Sequence, residues 1–379
     1  MVREIESLAT PTNGPHISLY MPTVRAGKET RQNPTRFKNL LKRAREQFAA
    51  DEVDARDVEE LLAPVEDYGA DPEVWKKQLE GLAIFSSRDV FRVVQVPYEV
   101  NELVATGPRF HLKPILPLML SGTDYYVLTL GLGGCRLYRG TRYAIEEVEV
   151  PELPQGMEEA LRYDDVDTPQ KTGQRMPGRH GAQNTGMHAH ATAEDKLNRD
   201  IDRYIRRVER TVSEHLGGAR EPLFIAGTDY LLPVYREHNR YAGLLDEEIA
   251  VNPNSLDPES LRQAAWERLA PIHRRRQAEA RERFNSMHGR GRTSDRIEEV
   301  VSASLSGRVE TLFVDPTAEV WGTVSPGDFK AEVHGARQAG DIDVVDAAAV
   351  EALMRGAEIF LGPEETPLAE SPAAATFRY

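Results

Sequence analysis

Cysteine is almost missing from this chain: Cys135 is the only one in 379 residues. A single cysteine closes no internal disulfide and supplies no cysteine-based zinc site, which fits a reducing compartment. Long apolar runs are missing as well. Ile115–Leu120 is among the longest and is interrupted by Pro117, far short of the roughly 20 residues a membrane helix needs. The opening Met1-Val-Arg-Glu-Ile-Glu-Ser7 has no apolar signal core. A positive surplus is also absent: 47 Lys and Arg stand against 61 Asp and Glu, a formal net charge of −14. That balance excludes a protein that coats DNA or RNA generally. The expectation is a cytoplasmic protein with neither a membrane nor a DNA partner.

The common enzyme signatures are lacking too. Gly131-Leu-Gly-Gly-Cys-Arg136 joins two predicted strands, where a dinucleotide fingerprint needs a strand followed by a helix, so it reads as a hairpin turn. Gly289-Arg-Gly-Arg-Thr-Ser294 lacks the P-loop lysine and spacing. Neither His-Glu-x-x-His nor Gly-x-Ser-x-Gly occurs. No cofactor and no metal are expected.

What is present is an ordinary globular composition, 40% apolar and 28% charged, long enough for two or three domains of about 150 residues. Strand-like His16–Tyr20 precedes a helix expected to be capped by Asn33 with Pro34 behind it. Strands are expected at Gly81–Phe85, Val90–Val96, Tyr125–Leu130, Cys135–Tyr138, Tyr143–Val150 and Leu223–Ala226. From Thr192 onward, Leu197, Ile201, Tyr204, Val208, Val212 and Leu216 recur at helical spacing, and Gly217-Gly218 ends the pattern. A long Arg-rich helix with Pro271 inside it, a helix after Ser294, a strand Arg308–Val314, a helix from Asp343 to Arg355 and a strand at Ala357–Leu361 complete an alternating α/β pattern. A short strand, Ala373–Tyr379, ends the chain.

Periodicity is lost between Pro151 and Ala193, a length that marks a functional or solvated loop. Thr168–Ala193 contains no acidic residue and carries Lys171, Arg175 and Arg179 together with His180, His188 and His190. It contributes +3, so the remaining residues carry −17. Three readings are open: a solvated loop, a metal site through the histidines, or an arm that reaches into RNA, where cations meet phosphates and glycines allow close approach. Asp164, Asp165 and Asp167 read as a solvated turn. A second basic run, Arg274, Arg275 and Arg276 with Arg290 and Arg292 beyond, is either an exposed helix face or a secondary RNA or partner contact.

The order of parts carries a resemblance. It rests on His16-Ile-Ser-Leu-Tyr-Met-Pro22, Asn33-Pro-Thr-Arg36, Gly81-Leu-Ala-Ile-Phe85 and Arg109-Phe-His-Leu112. It continues through Leu137-Tyr-Arg-Gly140, the long loop, Phe224-Ile-Ala-Gly227, Gly307-Arg-Val-Glu-Thr-Leu-Phe313 and Ala373-Ala-Ala-Thr-Phe-Arg-Tyr379. In this the chain resembles the class-I archaeo-eukaryotic release factor and Pelota superfamily, specifically the bacterial archaeo-eukaryotic release factor proteins of family three. The resemblance implies an α/β (α+β) fold of three domains. Residues 1–120 would be similar to the codon-reading domain. Residues 121–255 would form a mixed-sheet middle domain carrying the loop to the peptidyl-transferase centre. Residues 256–379 would form an L7Ae-like α/β/α domain that meets a translational GTPase.

Two departures bear on function. The codon-reading Asn-Ile-Lys-Ser is replaced by Ala26-Gly-Lys-Glu-Thr-Arg-Gln32, and Gly181-Ala182-Gln183 stands where Gly-Gly-Gln is expected. A Cβ at the second glycine costs about 1–3 kcal/mol where φ must be positive. The leading expectation is therefore a ribosome partner that occupies the vacant A site in hibernation or rescue without reading a stop codon. Its RNA contacts would be Lys171, Arg175, Arg179, His180, Gly181, Ala182, Gln183, His188 and His190. The alternatives are peptidyl-tRNA ester hydrolysis, with Gln183 as the catalytic residue that positions water, and a stress-related protein or RNA adaptor off the ribosome.

Overall fold

The structure is a computed structural model that describes residues 7–10, 14–24, 28–120, 124–166, 193–250, 257–325, 327–362 and 371–379. Its contacts gather the chain into two compact units, one made of Met1–Ser121 with Ile272–Tyr379 and the other of Gly122–Pro271.

The chain enters on β1 (His16–Pro22), followed by helices α1 (Asn33–Ala50) and α2 (Ala55–Ala70) and by strands β2 (Gly81–Ser86), β3 (Phe91–Val96) and β4 (Leu103–Gly107). These strands form an antiparallel sheet in the order β3-β2-β1-β4. Strand side chains alternate between faces, so central β1 needs apolar residues on both. Ile17, Leu19 and Met21 pack with Phe37, Leu40, Phe48, Leu61 and Val65 of the two helices. Tyr20 faces the other way, into a second core.

Asn33 is not the cap that its residue type suggests. It is already helical, with Gln32 at the N-cap position. Its buried amide accepts from Val24 N–H and donates to Val24 C=O, both at 3.2 Å. Holding both polar groups of one backbone residue is the better use of an amide that is cut off from water.

The second unit holds β5 (Tyr125–Gly131), β6 (Gly134–Gly140), β7 (Ile145–Val148), α3 (Met157–Val166), α4 (Ala193–Leu216), β8 (Leu223–Gly227), α5 (Leu232–His238) and β9 (Ile249–Ala250). Its sheet, ordered β7-β6-β5-β8-β9, is antiparallel through β5, β6 and β7 and parallel through β5, β8 and β9. It is thus a mixed sheet, and Gly131 pairs with Gly134 across the hairpin turn expected there. Ile201, Tyr204, Ile205, Val208, Val212 and Leu216 of α4 share a core with Leu128, Leu130, Leu137 and Ile225. At about 1.5–3 kcal/mol per fully buried side chain, this stripe fixes the helix on the sheet. The Tyr204 hydroxyl donates to Gly131 C=O at 2.8 Å. Gly217 closes the helix at φ +53°, its N–H bonded to Ser213 C=O at 2.9 Å.

Helix α6 (Pro258–Met287) contains Pro271 and buries Leu261, Ala265 and Leu269 in its first half. Its later Phe284 packs on Phe313 and Ala374. The chain continues through β10 (Thr293–Ser294), α7 (Ile297–Leu305), β11 (Val309–Val314), β12 (Trp321–Ser325), β13 (Lys330–Val333), β14 (Ile342–Asp343), α8 (Val344–Met354), β15 (Glu358–Leu361) and β16 (Ala373–Phe377). One sheet runs β10-β16-β11-β15 and a smaller one β13-β12-β14.

Tyr20, Phe85, Phe110, Ile115 and Leu116 from the N-terminal segment lie in one core with Leu312, Val314, Val344, Val345 and Ala348 from the C-terminal segment. Polar ties reinforce it. The Asp346 carboxylate accepts from the backbone N–H groups of Leu112 and Lys113, at 2.7 and 2.5 Å. Lys113 Nζ lies 2.6 Å from Asp343 Oδ2, and both side chains are almost fully buried. Among the described residues, no helix is long and apolar enough to cross a membrane.

Candidate functional site

Lys171, Arg175, Arg179, His180, Gly181, Ala182, Gln183, His188 and His190, expected from sequence to meet RNA, lie outside the described residues. The flanking elements are described: α3 precedes the segment and α4 follows it. In the second basic run, Arg274, Arg275, Arg276, Arg290 and Arg292 are all exposed. Arg276 pairs with Glu358 at 2.9 Å, and the Arg292 guanidinium donates to Phe377 C=O at 3.2 Å and Arg378 C=O at 2.5 Å. Arg275 is 3.8 Å from Glu279 one turn on. Arg276 and Arg292 are thereby tied to the fold of the C-terminal segment.

A different basic constellation lies on α4. Its arginines at 199, 203, 206 and 210 recur at the same spacing of three and four as its apolar stripe, on the opposite side of the helix. The apolar side is bound to the sheet, so the arginine side is turned outward. Arg203, Arg206 and Arg210 are exposed there. The end of α5 and the turn after it add His238 and Arg240, and together these residues, with Arg207 and Glu209, line a cleft of about 320 Å³.

The polar framework of this cleft can be followed bond by bond. Glu209 is only 2% exposed. Its Oε1 accepts from Ser213 Oγ at 2.6 Å and from the Arg240 backbone N–H at 2.8 Å. The carboxylate thus fixes the α5 turn to α4 and sets where the Arg240 side chain starts. Asn239 completes the turn, donating to Tyr241 C=O at 2.9 Å and accepting from Tyr241 N–H at 3.3 Å. Asp202 bridges His238, at 2.6 Å, and Arg206, at 2.9 Å. Arg203 lies 3.7 Å from Asp200. Arg210 and Arg240 form no side-chain ion pair among the described residues. Behind the cleft, burial pushes the Tyr235 hydroxyl well above its ordinary range, and the Glu209 charge adds to the shift. A phenol so placed stays neutral.

Five arginines against few acids attract anions, and guanidinium forks match phosphate oxygens two at a time. Nothing in the set resembles a nucleophile with its base. The chain's thiol is no candidate either: burial pushes the Cys135 pKa up to about 11. No group of three or more His, Cys, Asp or Glu among the described residues is placed to hold a metal. In the sequence, the apolar stripe of α4 is the louder signal. The arginine stripe beside it marks half of the cleft, whereas Arg240 and His238 join it only through the tertiary fold.

Residues 124–308, which span the mixed-sheet unit and this cleft, match the family model described as "Bacterial archaeo-eukaryotic release factor family 3". No curated protein matches. Among solved structures the chain is similar to an archaeal translation termination factor, aRF1, at 16% identity over 100% of this chain and 98% of that one, with a TM-score of 0.22. Archaeoglobus fulgidus Pelota is 12% identical over 79% of each chain, with a TM-score of 0.27. The archaeal Pelota structure titled as ribosome-bound with ABCE1 is 11% identical over 100% of this chain and 94% of that one, with a TM-score of 0.36. Over residues 124–308, the segment that holds the mixed sheet and the arginine cleft, the chain is thus similar to bacterial archaeo-eukaryotic release factor family 3.

Proposed function

We propose that this protein is a ribosome partner of the release-factor kind that occupies the vacant A site, in hibernation or rescue, without reading a stop codon. The observation that carries the reading is the acid-free segment 168–193, inserted between α3 and α4 of the family-matched unit and continuous in chain with the arginine-bearing helix. Cations without neighbouring carboxylates suit a region of dense phosphate. Ala26-Gly-Lys-Glu-Thr-Arg-Gln32 in place of the codon-reading motif supports occupancy without decoding. In this reading, residues 1–120 take the place of the codon-reading domain and residues 121–255 carry the segment toward the peptidyl-transferase centre. Residues 256–379 form the L7Ae-like domain that meets a translational GTPase.

Ala182 weighs against hydrolysis as the main role, because a loop built on two glycines loses its positive-φ freedom at one of them. Co-sedimentation with 70S ribosomes tests the proposal. Binding at low salt that weakens at least tenfold in Arg175→Ala plus Arg179→Ala is expected, and binding that is absent or indifferent to that pair overturns it. Peptide release from loaded ribosomes, lost in Gln183→Ala, would establish the hydrolase instead.

A further inference from the structure

We infer that the cleft between α4 and the turn after α5 is a second RNA site, formed without residues of the segment 168–193, which grips the sugar–phosphate backbone of a single strand through Arg203, Arg206, Arg210 and Arg240. The choice of RNA as ligand rests on the proposed ribosome role. The anion site itself rests on the geometry alone.

Its construction favours a polyanion. Arg203, Arg206 and Arg210 stand on successive turns of one helix, so their charges are spread along a row with a pitch of about 5.4 Å. A single phosphate fills a point, whereas a strand fills a row. All five cations in the lining are arginines, the side chain whose planar fork binds phosphate with two parallel hydrogen bonds. The lining includes no apolar side chain, as an inserting membrane surface would require. The four named arginines differ in readiness. Arg206 and Arg203 are held in orientation by Asp202 and Asp200, while exposed Arg210 and Arg240 carry no internal ion pair among the described residues.

Glu209 has a positioning role. Placing a carboxylate beneath a cationic cleft opposes anion binding in charge, yet it is nearly fully buried and bonded to the backbone of Arg240. It fixes the loop that presents Arg240 while its own charge is turned away from solvent. Base edges play no part in such a site, so binding is indifferent to sequence and steep in salt.

The test uses the full-length protein and fluorescein-labelled single-stranded oligouridine and mixed-sequence RNA, read by anisotropy across 50–300 mM KCl. Each phosphate neutralised on a single strand contributes about −0.7 to the slope of log K against log salt. Arg210→Ala plus Arg240→Ala is therefore expected to flatten that slope by about 1.4 for both RNAs, with an unchanged thermal melt, because both side chains are exposed and form no ion pair among the described residues. Arg175→Ala plus Arg179→Ala should leave the slope change caused by the cleft pair intact. An unaltered slope in the cleft variant overturns the site. So does inorganic tripolyphosphate binding as tightly as the RNA, which would make the cleft a pocket for a free phosphate compound. Oligonucleotide binding that depends on Arg210 and Arg240, together with no co-sedimentation with ribosomes, supports the cleft and removes the ribosome reading, so the two can fail separately.

Discussion

At the scale of single residues, Lys113 is a costly position to disturb. Its ammonium is 2% exposed, 2.6 Å from an equally buried Asp343 carboxylate, and it also donates to Ala318 C=O. Asp343 in turn accepts from Val345 N–H at 3.0 Å at the start of α8. Removing one partner of a buried pair leaves a charge without compensation, at a cost of about 3–5 kcal/mol. Lys113→Met is expected to lower urea stability by that amount, and Lys113→Met with Asp343→Asn by clearly less than the sum of the two single changes. Equilibrium unfolding of the three variants measures both. Cys135 gives a second residue-scale outcome. Its thiol donates to Pro154 C=O at 3.3 Å and is buried. With a pKa of about 11, only about 0.1% is thiolate at pH 8. A chromogenic disulfide reagent should therefore label the native protein far more slowly than the urea-unfolded one. Rapid stoichiometric labelling of the native protein would contradict the buried setting.

At the scale of elements, the sequence was legible where burial is one-sided or complete and opaque where a side chain serves a neighbour distant in sequence. β8 is a continuous apolar run, and β1, β2 and β5 are nearly so, broken only by single small or polar residues such as Ser18 and Thr129. α4 has an uninterrupted stripe and a glycine stop, so its end at Leu216 can be read directly. β4 (Leu103–Gly107) is hidden because Ala105, Thr106 and Gly107 carry little pattern, and the strand exists through pairing with β1. The small sheet β13-β12-β14 is similarly quiet in sequence, with its side chains mostly half-buried or exposed.

What holds that small sheet is partly polar, and it titrates. His334 Nδ1 lies 2.9 Å from each Asp341 carboxylate oxygen, its backbone N–H donates to Trp321 C=O at 2.8 Å, and Glu332 is 3.8 Å away. The hydrogen bond to Asp341, aided by both carboxylate charges, raises the His334 pKa above the ordinary 6.5. A raised pKa means stability that is complete below 6.5, declines as pH rises through the folded value and is gone above it. The melting temperature should fall between pH 6 and pH 8.5 by more in wild type than in His334→Gln. Equal falls would show that this pair is not the titrating contact. Packing at the same sheet is tight at Gly322, where an added Cβ would meet Glu332 C=O at 2.1 Å. Since that obstacle is backbone, Gly322→Ala should part β12 from β13, seen as faster amide exchange at Thr323 and Val324 than in wild type.

At the scale of the whole molecule, the two ends of the chain make one unit. The side of the first sheet not covered by α1 and α2 offers Tyr20 and Phe85 to Val344, Val345 and Ala348 from more than 250 residues later. Asp346 and Arg337 add contacts across the same span. Asp346 caps the backbone at Leu112 and Lys113, and the Arg337 guanidinium donates to Asp51 Oδ2 at 2.7 Å and Thr106 Oγ1 at 3.1 Å. Neither segment covers its apolar face alone, and exposed faces of this size drive association. The segment 14–120 expressed by itself should be poorly soluble or molten, binding a hydrophobic dye and lacking near-ultraviolet circular dichroism. Co-expression with 272–379 should restore a soluble one-to-one complex that carries the Lys113–Asp343 pair, so that Lys113→Met in one fragment abolishes recovery. A segment 14–120 that unfolds cooperatively on its own would mean that the shared core contributes little, and the stability lost in Lys113→Met would then have to be explained within the N-terminal segment alone.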